Sequence, residues 1–294
     1  MTIPLLTDTR AALEALSHVE VLYSDLDGTL LGLGGSLLAD VVGEPSTVTA
    51  QAVVRVNRAG LPVVLVTGRN RVQCTEITRL LGWSGFIAEL GCVAVPQRGA
   101  DPIFNTGDWP AYTLRNGETP YDRIVGAGAV ALLERSFPGR LEPHAPYHLN
   151  REATVMLRGA IDLSAARETL AELELPVAIV DNGIIHPLST GLFGIAEMHA
   201  YHLMPSGVTK AGAVGLDLAR RDLLREQAAC IGDASTDVEM ADFVSLGALV
   251  SNALADPRAR AAAEARGNVY ALTRGRGEGW AEFSEAWLEA RDAG

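Results

Sequence analysis

Asp25 and Asp27 close the stretch Val21-Leu22-Tyr23-Ser24-Asp25-Leu26-Asp27-Gly28-Thr29-Leu30, an apolar run followed by two acids and a glycine. The run reads as a buried strand whose C-terminal end carries the acids, the end at which open parallel sheets bind ligands. Side chains alternate along a strand, so the two carboxylates leave on the same side and repel each other. A hard cation such as Mg²⁺ would offset that charge, and Gly28 lets the backbone turn sharply beside a ligand. Taken alone, Asp-x-Asp-Gly is also ordinary surface-turn chemistry.

Polar residues recur at comparable places further along. Thr67-Gly68-Arg69 follows the apolar run Pro62-Val63-Val64-Leu65-Val66 and precedes a helical pattern from Asn70 to Leu81. A hydroxyl with free backbone N–H groups at a helix start suits a phosphate oxygen, although a plain helix cap explains Thr67 on its own. Lys210 opens another helical pattern, and Ala228-Ala229-Cys230-Ile231-Gly232 runs into Asp233, with Asp237 four residues on. Together these residues could bind a metal and a phosphate. Carboxylates would hold Mg²⁺, Thr67 and Lys210 would hold phosphate oxygens, one carboxylate would remain to attack phosphorus and one to move a proton.

These side chains meet only if parallel strands bring their ends to one edge. The pattern supports that. Apolar strands near residues 21–25, 62–66, 85–89, 228–233, 246–250 and 268–272 alternate with helices, which is the texture of an α/β, doubly wound parallel sheet. Between the two halves the texture changes. Cys92 to Pro96, Thr154 to Leu157, Val177 to Asp181 and Ile184 to Leu188 read as strands, and Tyr121 to Ser136 and Ser164 to Leu173 as helices. The expected division is therefore a core of residues 1–88 and 205–294, interrupted by an α+β insert of residues 89–204. The glycine-rich segment from Leu31 to Pro45 is expected to be a loop over the acids.

The net charge of −12 argues against nucleic acid or an anionic membrane as partner, since both select a basic face. Cys74, Cys92 and Cys230 match neither a zinc spacing nor a disulfide framework. Met1 to Arg10 lacks the regions of a signal peptide, and no apolar run approaches the ~20 residues of a membrane span. A cytoplasmic protein is expected.

In order and spacing, Asp25-Leu26-Asp27-Gly28-Thr29, Thr67-Gly68-Arg69, Lys210 and Gly232-Asp233-Ala234-Ser235-Thr236-Asp237 resemble the four motifs of the haloacid dehalogenase superfamily of phosphotransferases. An insert between the second and third motifs resembles the type II, C2-capped branch. Lys210-Ala211-Gly212-Ala213-Val214 looks like its IIB subgroup, which includes Cof-like, sugar-phosphate and mannosyl-3-phosphoglycerate phosphatases and phosphomannomutases.

The resemblance implies that Asp25 is the nucleophile that becomes aspartyl phosphate, and that Asp27 protonates the leaving oxygen and then activates water. It implies Mg²⁺ on the Asp25 carboxylate, the Asp27 carbonyl and Asp233, with Asp237 in support. Thr67, Gly68 and Arg69 would bind the phosphoryl group, and Lys210 would neutralise charge. The insert, as a cap, would read a small phosphorylated metabolite such as a sugar phosphate or phosphoglycerate-type ester, with His148 and Arg151 as candidate readers. His199-x-x-His202 has a metal-like look but no further ligands. A phosphomutase uses the same motifs. A receiver-like phospho-acceptor domain has neither the paired acid Asp27 nor such an insert. The sequence departs from the subgroup at Thr236, where Asn is usual, at Glu89-Leu90-Gly91, where Glu-Asn-Gly is usual, and in the length of the loop from Leu31 to Pro45.

Overall fold

In the computed structural model, which describes residues 3–293, the first third of the chain alternates helix and strand. It runs α1 (Arg10–Ser17), β1 (Val21–Ser24), α2 (Val48–Arg58), β2 (Val63–Val66), α3 (Arg71–Leu81) and β3 (Gly85–Ala88). Every residue of β1, β2 and β3 is buried, as parallel strands covered on both faces must be. Local chemistry sets the boundaries. Asn70 and Gln73 form a reciprocal capping box at the start of α3, and Gly82 ends it in the left-handed region at φ 77°.

After β3 the chain turns back on itself. Glu89, Leu90 and Gly91 take φ values of 51°, 59° and 103°. This left-handed corner sends β4 (Val93–Val95) antiparallel along β3, and β5 (Ile103–Phe104) pairs with β4. The segment from Cys92 to Pro96 thus extends the large sheet, whereas the sequence reading places it in the insert.

A second unit follows: α4 (Pro120–Gly126), α5 (Ala129–Ser136), β6 (Leu141–Pro143), β7 (Val155–Gly159), α6 (Leu163–Leu170), β8 (Val177–Ile185) and β9 (Met198–Pro205). Its strands form an antiparallel sheet in the order β6-β7-β9-β8. The helices cover it through a separate apolar cluster that includes Ile124, Leu133, Leu157 and Leu203. Two expected elements are redrawn here. The helix over Tyr121 to Ser136 is broken at Gly128, φ 79°. The two strands expected over 177–188 are one strand with an irregularity between Asp181 and Ile184.

The chain then re-enters the large sheet through α7 (Lys210–Arg221), β10 (Ala228–Gly232), α8 (Ser235–Val238), β11 (Leu246–Leu249), α9 (Pro257–Glu264), β12 (Val269–Ala271) and α10 (Arg276–Ala293). The eight-stranded order is β12-β11-β10-β1-β2-β3-β4-β5, with the six strands from β12 to β3 parallel. The fold is thus an α/β doubly wound sheet with an α+β unit inserted. On one face α1, α2 and α10 pack together, and Trp280 and Trp287 of α10 are fully buried. Trp280 donates to Ser24 Oγ at 3.1 Å and so ties α10 beneath the end of β1. Among the described residues, no helix is long and apolar enough to cross a membrane.

Candidate active site

The chain passes from β1 to β2 on one side and returns through β10 on the other. The order of strands therefore reverses at β1, and a crevice opens at the C-terminal ends of these strands. Asp25 follows β1, Thr67 follows β2 and Asp233 follows β10. All three line one cavity of about 900 Å³, with Lys210 and Asp237.

Lys210 is the first residue of α7, whose N-cap Thr209 accepts from the Gly212 N–H at 2.9 Å. The cap directs the buried ammonium between two carboxylates: Nζ donates to Asp25 Oδ1 and to Asp237 Oδ1, each at 2.8 Å. Burial opposes the ammonium, but Asp237 and Asp25 raise its pKa above the ordinary lysine value. Asp237 Oδ2 also accepts the Asp233 and Ala234 N–H groups, at 3.2 and 3.0 Å. Asp237 is thus occupied in holding Lys210 and the turn after β10.

Asp25, Asp233 and Asp237 bring carboxylate oxygens within 4.8 Å of one another. One ammonium does not balance three such groups. Burial, then the charge of Asp237, pushes the Asp25 carboxyl up to about 7. Burial, then Asp25 and Asp237, pushes Asp233 up to about 8. Asp25 Oδ2 is buried without a hydrogen-bond partner. An orphaned carboxylate oxygen inside an acidic, all-oxygen cluster is what a hard divalent cation would satisfy, so the donor set fits one. Asp25 Oδ2 and the Asp233 carboxylate are the oxygens that would hold it.

Gly28, at φ +86°, brings the backbone against Asp233, and a Cβ there would collide with that carboxylate. Asn252, just beyond β11, completes the corner: its Nδ2 donates to Gly28 O at 3.1 Å and to Asp233 Oδ2 at 3.2 Å. Asn252 is absent from the sequence reading, although it follows a parallel strand as the motif residues do.

Thr67 is buried, and its Oγ1 accepts the Arg69 N–H at 3.3 Å, which leaves the hydroxyl hydrogen free to donate. The turn is fixed from behind by Arg151, whose Nη1 donates to Gly68 O at 3.0 Å. Arg69 itself is turned to Asp27. Its Nε donates to Oδ2 at 2.9 Å and its Nη2 to Oδ1 at 2.6 Å. The Asp27 side chain therefore stands outside the three-carboxylate group, and any metal contact from Asp27 falls to its main chain. The glycine-rich loop does reach the site, since Gly34 and Gly35 line the cavity.

The expected readers in the insert divide. Arg151 lines the cavity, but its guanidinium also bonds Tyr147 O and Thr154 Oγ1 and pairs with Glu89 at 3.8 Å. It is spent on structure. Among the described residues lining the cavity His148 does not appear. His199 and His202 lie on β9 three residues apart, hence on opposite faces. His199 is bonded to Asp181 and Glu197, while His202 is buried and lines the cavity. The pair is not a metal site. Glu89, noted in sequence only as a motif remnant, is a fully buried hub that accepts the N–H groups of Glu152, Ala153 and Thr154.

No protein-family model matches the chain. Among curated proteins, the phosphoglycolate phosphatase of Methanothrix thermoacetophila is 26% identical over 271 residues, covering 90% of this chain and 95% of its own. That of Methanoculleus marisnigri is 27% identical over 240 residues, covering 80% and 85%. Among solved structures, a haloacid dehalogenase-like hydrolase from Bacteroides thetaiotaomicron superposes with a TM-score of 0.60 at 17% identity, covering 91% of this chain and 98% of that one. The sucrose-phosphatase of Synechocystis, solved with sucrose and phosphate, gives 0.60 at 14% identity, covering 92% and 98%. The chain has the fold of the haloacid dehalogenase-like hydrolases, and all four motif positions meet in its crevice. Its class is that of a phosphatase.

Proposed function

We propose that the protein is a Mg²⁺-dependent phosphomonoester hydrolase that works through an aspartyl phosphate at Asp25. Its substrate is a small phosphorylated metabolite, a sugar phosphate or phosphoglycerate-type ester. The carrying observation is Asp25 itself: one carboxylate oxygen is held by Lys210 and the other is buried and free, at the switch point of the sheet. The phosphatases among its relatives support the reading.

The phosphoryl group sits between Asp25, the Thr67 hydroxyl, the Gly68 N–H and Lys210. An Asp25 oxygen attacks phosphorus, the new P–O bond forms and the bond to the ester oxygen breaks. Asp27, released from Arg69, gives a proton to that leaving oxygen. Water then attacks the phosphorus of the aspartyl phosphate, Asp27 takes its proton, the P–O bond to Asp25 breaks, and the free Asp25 carboxylate and inorganic phosphate result. Asp25, Asp233 and the Asp27 carbonyl would hold Mg²⁺, with Asp237 behind them, and the ion would neutralise phosphoryl charge. The unit from α4 to β9, rather than all of residues 89–204, forms the cap that closes the cavity opposite the motif residues.

The test is a phosphate-release screen over sugar phosphates, phosphoglycerate, phosphoglycolate and p-nitrophenyl phosphate, with Mg²⁺ and with chelator. Release that stops with chelator, returns with Mg²⁺ and is abolished by Asp25→Asn is expected. Full activity in verified metal-free protein would refute the reading.

A further inference from the structure

His202 occupies the meeting point of the cap strand β9 and the phosphate turn. It is fully buried, lines the cavity, and its Cε1 would lie 4.0 Å from a Cβ placed on Gly68. Its Nε2 is buried without a partner. A buried polar atom left unpaired is costly, and among the described residues none supplies its partner.

The surrounding hydrogen bonds determine what that partner must be. Glu89 Oε2 accepts the N–H groups of Ala153 and Thr154, at 3.2 and 2.8 Å, and lies 2.8 Å from Thr154 Oγ1. A carboxylate fed by N–H donors accepts, so the single hydroxyl hydrogen of Thr154 points at Glu89. Thr154 Oγ1 then presents lone pairs to Arg151 Nη1 at 3.0 Å and to His202 Nδ1 at 3.4 Å. Nδ1 therefore carries the ring hydrogen. Burial, followed by the charges of Arg151, His144 and Lys210, holds the imidazole well below its usual range, so the ring is neutral. Nε2 is left with a bare lone pair, which can only accept.

We propose that His202 Nε2 accepts a hydrogen bond from a substrate hydroxyl on a carbon close to the phosphate ester, and so selects hydroxylated phosphomonoesters over carboxylated ones. A carboxylate at this point would set lone pair against lone pair. The nearby cation Arg151 offers it no compensation, since Arg151 pairs with Glu89. The inference rests on the phosphatase reading, narrows its substrate to the sugar-phosphate side and away from phosphoglycerate-type esters, and departs from the phosphoglycolate named for the relatives.

Steady-state kcat/KM is measured for the full chain with Mg²⁺ on glycerol 3-phosphate, propyl phosphate and phosphoglycolate. The wild type is expected to favour glycerol 3-phosphate over both others. His202→Phe is expected to lower the ratio of glycerol 3-phosphate to propyl phosphate by about ten-fold or more. His202→Gln, whose side-chain oxygen can accept, is expected to keep most of that ratio. An unmoved ratio in both variants, or a wild type that favours phosphoglycolate, overturns the assignment of His202. Should His202→Phe not fold, the ¹⁵N spectrum of the wild-type imidazole decides: an Nδ1–H tautomer supports the proposal and an Nε2–H tautomer overturns it. No turnover of propyl or p-nitrophenyl phosphate by the wild type would instead overturn the phosphatase reading itself.

Discussion

Arg69 grips both carboxylate oxygens of Asp27, at 2.9 and 2.6 Å, in a fork-to-fork pair at the mouth of the cavity. The residue read as a phosphate ligand thus holds the residue read as the acid and base. Asp27 must give up at least one of these bonds to reach a leaving oxygen, and an arriving phosphate dianion is the natural competitor for the guanidinium. The pair is half-exposed, so its direct worth to stability is small, under about 1 kcal/mol.

From this pairing, Arg69→Lys should leave the denaturation midpoint nearly unchanged. It should lower kcat/KM for phosphate esters by about ten- to a hundred-fold, because an ammonium cannot reproduce the planar fork. Denaturation and steady-state kinetics on one preparation check both halves. Activity within two-fold of wild type would show that the pair is incidental.

Asp27 makes an asymmetric prediction. Asp27→Asn keeps the size and the main-chain carbonyl but moves no proton, a loss of about 10²–10⁴-fold where acid and base are needed. p-Nitrophenolate leaves without acid help, so the variant should release a burst of it and accumulate phosphoenzyme. Asp25→Asn should do neither. Rapid-quench kinetics with intact-protein mass measurement reads the adduct. Steady, near-normal turnover with none would remove Asp27 from the mechanism.

The carboxylate cluster predicts a pH dependence with a definite sign. Asp25 is raised to about 7 and Asp233 to about 8, against about 3.9 for an unfolded aspartate. Between those values the folded, metal-free protein holds protons that the unfolded chain has released. Its stability therefore falls as pH rises through that window. His144, lowered to about 4 by burial and then by Arg158, acts with the opposite sign and only below the ordinary histidine range. Melting of chelator-treated protein from pH 6.8 to 8.5 should thus move downward. Divalent cation affinity should rise over the same range, because binding must expel those protons. A flat calorimetric affinity from pH 6.5 to 8.5 would contradict the cluster's assignment.

Glu89→Gln tests the hub between the large sheet and the inserted unit. The carboxylate accepts three backbone N–H groups and the Thr154 hydroxyl, and offsets buried Arg151 at 3.8 Å. Replacing it leaves a buried guanidinium uncompensated and turns an amide donor toward other donors. A loss of about 2–5 kcal/mol in denaturant unfolding is expected. A change below 0.5 kcal/mol would mean that the hub carries little.

The alternation of strand and helix and the motif acids at the strand ends were legible in the sequence. Each is specified by neighbours a few residues away: apolar runs for buried strands, 3.6-residue periodicity for helices, glycine where φ is positive. What distant segments decide was not. The left-handed corner at Glu89 joins Val93–Val95 to the large sheet rather than to the inserted sheet. Lys210 meets Asp25 across 185 residues of chain. Arg69 takes Asp27 rather than standing open, Arg151 is consumed by Gly68 and Glu89, and His202 faces inward while His199 does not. The sequence by itself determined which chemical groups the protein possesses and at which strand ends they lie. Only the tertiary structure decided which of them are free to act, because whether a polar group is open or spent depends on the partners that packing brings to it.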